Sequence, residues 1–172
     1  ELARGIKARD YTSEQVLDNF LERTRRLNPA INAIVVMRED QARQQARLAD
    51  QAADEGRDLG PLHGVPMTIK ETFEIEGWPT TAGHKGYQDH VSPRTAVAVQ
   101  RLLDAGAVIF GKTNVPEFAG DLQSFNDIYG TTNNPWDTRL TPGGSSGGAA
   151  AALAAGLTPL ELGSDIGGSI RT

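Results

Sequence analysis

Short apolar runs that alternate with helical stretches are the feature that most constrains the fold of this chain. Residues 65–69, 107–110 and 157–162 have the apolar, partly β-branched composition of buried strands. Residues 95–105 carry apolar side chains at helical spacing, and Gly106 ends that pattern. Because strands that alternate with helices form sheets covered by those helices, the sequence predicts an α/β fold.

The N-terminal part of the chain is predicted to be mostly helical. Thr12 and Gln15 have the spacing of a capping box, and apolar residues then recur on one helical face until the Asn-Pro pair at 28–29, where we expect the helix to end. The β-branched apolar run at residues 31–37 predicts a strand. Residues 39–55 are polar and rich in alanine and glutamine, which predicts a helix mostly exposed to solvent.

The residue composition argues against metal-dependent and thiol chemistry. The chain has no cysteine, which excludes disulfides, a thiol nucleophile and thiolate metal ligands. Its three histidines, His63, His84 and His90, lack the i, i+4 spacing of a helical zinc site. We therefore expect neither a metal ion nor another cofactor.

Charge and hydropathy narrow the class of partner. The 17 lysine and arginine residues against 22 aspartate and glutamate residues give a net charge of −5, with no dense basic block. No stretch reaches the roughly 18 apolar residues of a membrane span, and the first residues lack the apolar core of a signal peptide. The sequence therefore predicts a cytoplasmic protein that acts on a small molecule or a peptide, with no nucleic acid or membrane partner. A homodimer is one oligomeric state open to it.

Residues 106–113 match the phosphate-binding pattern G-x-x-x-x-G-K-[ST], with Lys112 as the lysine. A phosphate-binding loop needs a strand before its first glycine and a helix after its lysine. Here a predicted helix precedes Gly106, the residues between the glycines are apolar, and Pro116 stands where the second helix should form. A nucleotide-binding module around Lys112 therefore remains only an alternative.

Residues 143–147 match the nucleophile elbow G-x-S-x-G of esterase-type serine hydrolases, which would make Ser145 the nucleophile. That motif follows a hydrophobic strand, whereas polar, proline-containing residues 134–142 come before it here. All three histidines also precede Ser145, although the elbow fold places its catalytic histidine after the nucleophile. This mechanism is the second alternative.

A third combination joins Lys70 with two serines in glycine-rich turns. Lys70 stands at the end of a predicted strand, Ser145 lies within residues 143–148, and Ser169 lies within residues 163–171. A base, a proton relay and a nucleophile can meet when they stand at a strand end and on two such turns.

The motifs around these three residues resemble those of the amidase signature family. Separate motifs occur in the family's order, at residues 60–66, 111–114, 134–136, 143–148 and 165–171. The resemblance implies an α/β fold with a mixed sheet core surrounded by helices, of which this chain supplies an N-terminal portion. Residues 1–58 would form a helical segment with one short strand, and residues 59–172 the first part of the catalytic core.

The same resemblance implies an activity and the residues that carry it. It implies an amidase that hydrolyses a carboxamide C–N bond through an acyl-enzyme, with Ser169 as nucleophile, Ser145 as relay and Lys70 as base. A cis peptide bond between Gly144 and Ser145 is expected to aim the relay hydroxyl. The N–H group of Ser169 is expected to help bind the oxyanion. The other implied residues bind the oxyanion or the substrate: Ile166, Gly167, Gly168 and Ala119.

The proposed base makes demands on its surroundings. A lysine acts as a base only when it is neutral, so the pKa of Lys70 must lie well below its reference value of about 10.4. Burial without a carboxylate partner has that effect, and Glu71, the next residue on a strand, should point to the opposite face. Asp165 and Arg171 flank the second turn and are expected to brace it.

The substrate is less well defined than the chemistry. Members of the family act on small amides, fatty amides or peptide amides, or form part of a transamidating enzyme that acts on misacylated tRNA. The transamidating subgroup typically has threonine where this chain has Ile166, so the resemblance favours a general amidase.

Overall fold

The computed structural model describes the whole chain, Glu1–Thr172. The helices are α1 (Leu2–Lys7), α2 (Ser13–Ile31), α3 (Glu39–Asp54), α4 (Val97–Asp104) and α5 (Gly147–Ala154). The strands are β1 (Ile34–Met37), β2 (Pro66–Lys70), β3 (Val108–Thr113), β4 (Phe125–Asn126), β5 (Gly130–Thr131) and β6 (Glu161–Leu162). Two 3₁₀ turns cover Lys85–Tyr87 and Glu117–Ala119. None of the helices is both long and apolar enough to span a bilayer.

A mixed sheet of four strands forms the centre of the chain, in the order β1-β3-β2-β6. β2 runs parallel to β3 and β6, whereas β1 runs antiparallel to β3. β4 and β5 form a separate small hairpin. The predicted α/β fold with a mixed sheet core surrounded by helices is therefore confirmed. The strand of the N-terminal segment belongs to the same sheet.

Two hydrophobic clusters cover the two faces of this sheet. One cluster joins α2, α3 and α5 to the sheet, and Leu21 and Phe110 lie in it. The other contains residues of α4 and of the loop after β2, and Ile69 and Trp78 lie in it. Because successive side chains of a strand point to opposite faces, Lys70 points away from the cluster that contains Ile69 and toward the turn that leads into α5.

Helix α3 has one buried face in spite of its polar composition. Its residues Ala42, Ala46, Ala49 and Ala52 are all buried. They recur every three or four positions and so form one face, and α3 packs against α2. The other residues of α3 are exposed or partly exposed, as predicted, and this one face is buried because a stripe of small side chains lets the helices approach closely.

Helix α2 continues past the Asn-Pro pair at which the sequence predicted its end. It begins at the predicted capping box and runs to Ile31, with Pro29 inside it and Asn32 in the left-handed conformation after it. The main-chain oxygen of Asn28 accepts the N–H of Asn32 at 2.6 Å, and its side chain bonds to the main chain of the following strand. These contacts secure the last turn although the proline removes one helical hydrogen bond. The strand consequently begins at Ile34 and not at residue 31.

Two strands differ in length from their prediction. β3 runs on to Thr113, because it is paired with β1 on one side and with β2 on the other. β6 contains only Glu161–Leu162 of the predicted residues 157–162. The hydroxyl of Thr158 accepts an N–H of β2 instead, and Pro159 has no N–H to donate to a neighbouring strand.

Candidate active site

Lys70, the last residue of β2, is fully buried between the two glycine-rich turns. Its Nζ donates to Ser145 Oγ at 2.7 Å in the first turn and to Ser164 Oγ at 3.0 Å in the second. Parallel strands bring their carboxyl ends to one edge of a sheet, and the second turn follows β6, which pairs with β2. The lysine amine therefore joins the two turns.

Ser145 lies at the centre of this arrangement and is only 1% exposed. The peptide bond between Gly144 and Ser145 is cis, as the resemblance implied. Helix α5 begins at Gly147, whose N–H donates to Ser124 Oγ at 3.0 Å. The first turn is thus anchored on one side by the helix and on the other by a buried serine.

The second turn is held against the first by Ser146. The N–H of Ser146 donates to the main-chain oxygen of Ser169 at 3.0 Å, and its hydroxyl donates to the main-chain oxygen of Ser164 at 3.1 Å. Ser169 lines the same cavity as Ser145, and no hydrogen bond within the chain engages its own hydroxyl. A hydroxyl in this position is available to a molecule in the cavity.

The electrostatics of Lys70 suit a base. Burial lowers the pKa of Lys70 to about 8, and the attraction of Asp165 opposes that shift only in part. The carboxylate of Glu71 is turned elsewhere and accepts the N–H of Thr81 at 2.5 Å. Near neutral pH a useful fraction of the Lys70 side chain is therefore uncharged.

Asp165 braces the second turn from inside. Its carboxylate accepts the N–H groups of Gly168 at 2.7 Å and Ile170 at 3.1 Å. The guanidinium of Arg171 donates to both carboxylate oxygens at 2.9 Å. These contacts hold the pKa of Asp165 well below its usual range, with the hydrogen bond from Arg171 as the largest cause. Both expected forms of bracing, an ion pair and hydrogen bonds, are present.

Of the N–H groups predicted to bind the oxyanion, one donates a hydrogen bond within the turn and the others do not. The N–H of Gly168 is committed to Asp165, whereas those of Ile166, Gly167 and Ser169 donate no hydrogen bond within the chain. Successive unpaired N–H groups in a glycine-containing turn form a site for negative charge. Three of the four expected donors are therefore free, and Gly168 supports the turn instead.

A cavity of about 340 Å³ opens between this turn and the segment after β3. One wall is formed by residues 118–122 and includes the predicted Ala119. The other wall contains Ser145, Ser164, Ile166, Gly167 and Ser169. Lys70 does not line the cavity itself, and it contacts two residues that do, Ser145 and Ser164.

The segment that matches a phosphate-binding loop has a different structure. Residues Val108–Thr113 form strand β3, and only the 3₁₀ turn Glu117–Ala119 follows it where a helix would be needed. Lys112 is fully buried and donates to the main-chain oxygen of Pro79 at 2.7 Å. The amine of Lys112 is thus satisfied by the protein itself.

The elbow alternative finds little support in the geometry of Ser145. No strand leads directly into residues 143–147, and the Ser145 hydroxyl is enclosed next to Lys70. His63 is buried and bonds to backbone atoms, while His84 and His90 each face a glutamate. No group of three or more histidine, aspartate and glutamate side chains lies together in a metal-binding arrangement.

Sequence reasoning missed Ser164 and Ser124. Ser164 contacts Lys70 directly and lines the cavity, and Ser124 supports the start of α5. Ser164 was signalled by its place in the same glycine-rich turn as Ser169. Ser124 carried no such signal, because it lies in an irregular segment far from the turn it supports.

Comparison with known proteins gives a consistent picture over nearly the whole chain. The family model described as amidase matches residues 15–172. The chain is 46% identical over 171 residues to a subunit of the glutamyl-tRNA(Gln) amidotransferase of Acidothermus cellulolyticus, covering 99% of this chain and 34% of that protein. It is 42% identical to the indoleacetamide hydrolase of Bradyrhizobium diazoefficiens, covering 99% of this chain and 33% of that protein.

Solved structures extend the likeness to three dimensions. A bacterial aryl acylamidase described as an amidase signature enzyme superposes with a TM-score of 0.95 at 30% identity, over 99% of this chain and 36% of that one. A fatty acid amide hydrolase superposes with a TM-score of 0.94 at 32% identity, over 99% of this chain and 30% of that one. The chain spans about a third of the length of the curated relatives it matches.

Proposed function

The chain belongs to the amidase family, and from that premise we propose that the protein hydrolyses carboxamide C–N bonds through an acyl-enzyme on Ser169. Ser145 relays the proton and Lys70 is the base. The single observation that carries this proposal is the 2.7 Å contact between Lys70 Nζ and Ser145 Oγ, beside a cavity that Ser169 also lines. The lysine is buried, and no carboxylate contacts it.

Each step of the proposed reaction has a group to perform it. Neutral Lys70 takes the proton of Ser145, which takes the proton of Ser169 as the Ser169 oxygen attacks the amide carbon. The N–H groups of Ile166, Gly167 and Ser169 stabilise the negative charge on the carbonyl oxygen. The proton returns through Ser145 to the leaving nitrogen, and water then hydrolyses the acyl-enzyme.

The reaction is expected to depend on pH through Lys70. The neutral form is the base, and the lowered pKa of about 8 means that this form increases as the pH rises. kcat/KM for a neutral amide should rise about tenfold per pH unit below that pKa and level off above it. Initial rates of amine release by the whole protein at a series of pH values measure the profile. A rate that falls or stays flat from acid to alkaline pH contradicts Lys70 as the base.

Replacing Asp165 with asparagine tests the brace around the oxyanion donors. Asparagine keeps one oxygen but loses the second acceptor and the charge that binds Arg171. We expect kcat to fall on the order of 10- to 100-fold, because the donors lose their fixed positions. Asp137→Asn is a matched control, since Asp137 also accepts two hydrogen bonds from an arginine side chain, Arg139, but lies outside the turn that carries these donors. Equal effects of the two variants would remove the assigned role of Asp165.

The choice of amide is the second part of the proposal. Small-molecule and peptide amides are the proposed substrates, because Ile166 stands where transamidating enzymes of the family typically have threonine. A role in a glutamyl-tRNA(Gln) amidotransferase is the second candidate, and the identity to one of the subunits of that enzyme favours it. Ammonia release from glutamine and from simple primary amides, by the whole protein without partners, separates them. Turnover of simple amides supports the first candidate, and turnover that requires further subunits supports the second.

A further inference from the structure

A second buried lysine, Lys112, lies on the other face of the sheet from Lys70. Both side chains are fully buried. In the register of the sheet Lys112 is paired with Ile69, so these two side chains lie on the same face. A register shift earlier in β3 explains why Lys112 does not share the face of Phe110, which stands two residues before it. Its Nζ donates to the main-chain oxygen of Pro79 at 2.7 Å and to Thr80 Oγ1 at 2.5 Å. Lys112 therefore holds the loop that crosses this face.

Glu71 holds the next part of the same loop. It is fully buried directly after β2, and its Oε1 accepts the N–H of Thr81 at 2.5 Å. Its Oε2 is buried without a partner. Burial raises the pKa of Glu71 and lowers the pKa of Lys112 to about 8, and the charge of each group opposes the shift of the other. We call these two residues the Glu71–Lys112 clamp.

The clamped loop, residues 79–83, is in turn the support of the cavity wall. The main-chain oxygen of Ala82 accepts the N–H of Phe118 at 2.7 Å. Ala82 has a φ of +48°, a conformation that non-glycine residues adopt only when their surroundings hold them there. Gly83 lies close to the turn Glu117–Ala119: a Cβ on Gly83 would stand only 3.2 Å from the main-chain nitrogen of Glu117.

The wall itself has an unusual backbone. Phe118 and Ala119 have φ values of +51° and +56°, and both line the cavity. Two successive non-glycine residues in this conformation each cost on the order of 1–3 kcal/mol, so they persist only where neighbouring contacts fix them. The hydrogen bond from Phe118 to Ala82 is such a contact, and it leads directly back to the clamped loop.

We propose that the Glu71–Lys112 clamp is a positioning device that fixes the cavity wall 118–122 and thereby sets how tightly the protein holds its substrate. The clamp acts through the loop 79–83 and touches neither the substrate nor Ser169. This inference rests on the proposed function for its kinetic readout. It assigns a task to two buried charged side chains that the proposed chemistry leaves unused.

The test uses Lys112→Met in the whole protein, because methionine keeps the length of the side chain and removes its amine. Active sites are first counted with a short-chain fluorophosphonate, which reacts with the nucleophilic serine and needs little of the wall. We expect KM for an amide to rise on the order of tenfold or more, while the sites that remain active react with the fluorophosphonate at nearly the wild-type rate. A lysine with a purely structural role would lower the number of labelled sites and leave their KM as in the wild type, and that result would overturn the proposal.

Two further measurements keep the test decisive. If Lys112→Met does not fold, Thr80→Val is used instead. This variant removes one acceptor of the Lys112 amine but keeps the side chains of Lys112 and Glu71, and we expect it to raise KM as well. Hydrogen exchange gives a readout that needs no activity: the amide of Phe118 should exchange at least about tenfold faster in the variant, while amides in α5 keep their wild-type rates. A wild-type protein that hydrolyses no amide would defeat the proposed function alone, and an unchanged Phe118 amide would defeat the clamp.

Discussion

Replacing Ser169 with alanine is expected to lower kcat/KM for amide hydrolysis on the order of 10⁴-fold or more. The reason is that no acyl-enzyme can form without an oxygen at this position. Ser169 lines the cavity together with Ile166 and Gly167, and the N–H groups of these three residues are unpaired. Alanine therefore removes the proposed attacking atom and leaves the proposed oxyanion donors in place. Steady-state rates with a primary amide, together with circular dichroism to verify folding, measure the effect.

The control for this variant is Ser13→Ala. Ser13 is a fully buried serine whose hydroxyl donates to the main-chain oxygen of Gly64, away from the cavity. Its loss removes a buried hydrogen bond without touching the site, and full activity per folded molecule is expected. If Ser169→Ala retained a tenth or so of the wild-type rate while Ser145→Ala lost all of it, the elbow mechanism with Ser145 as nucleophile would replace the present one.

Replacing Lys70 with methionine is expected to lower kcat/KM on the order of 10²- to 10⁴-fold, the usual contribution of a general base. Methionine fills most of the buried space but cannot accept the proton of Ser145. The remaining activity should also lose its rise with pH, because the group whose pKa lies at about 8 is gone. Rates measured across the same pH series as for the wild type verify both effects.

Lys112→Met is the matched control for Lys70→Met. Both lysines are fully buried, both have a pKa of about 8, and they lie on adjacent strands. Only Lys70 contacts Ser145, so only its loss should slow the reaction of the nucleophilic serine with a fluorophosphonate. If both variants lost that reaction equally, the effect would come from removing a buried lysine from this sheet, and the role of Lys70 as the base would be contradicted.

The sequence predicted the turns around the candidate site better than it predicted the ends of the elements. Glycine-rich turns and a lysine after an apolar strand are local signals, because short residue patterns encode turns and strand ends directly. The mixed sheet was likewise predictable from alternating elements and from the family resemblance. By contrast, Pro29 lies inside a helix because Asn28 bonds to the following strand, a contact that propensity rules do not include.

Individual hydrogen bonds that involve the backbone were beyond the reach of sequence patterns. The capture of the Gly168 N–H by Asp165 changed the set of expected oxyanion donors, and only the folded turn shows it. The loop 79–83 meets the turn at Phe118 more than thirty residues later along the chain, through one hydrogen bond between backbone atoms. Backbone contacts of this kind leave no mark on residue type, so pattern analysis passes over them.

In the proposed mechanism Ser169 carries the acyl group, and Lys70 activates Ser169 through Ser145. The most direct measurement is peptide mass spectrometry of the whole protein after reaction with a fluorophosphonate, with wild type, Lys70→Met and Lys112→Met side by side. We expect a label on Ser169 in the wild type and in Lys112→Met, and we expect labelling to be lost or strongly slowed in Lys70→Met. A label on Ser145, or no label on folded wild-type protein, would contradict it.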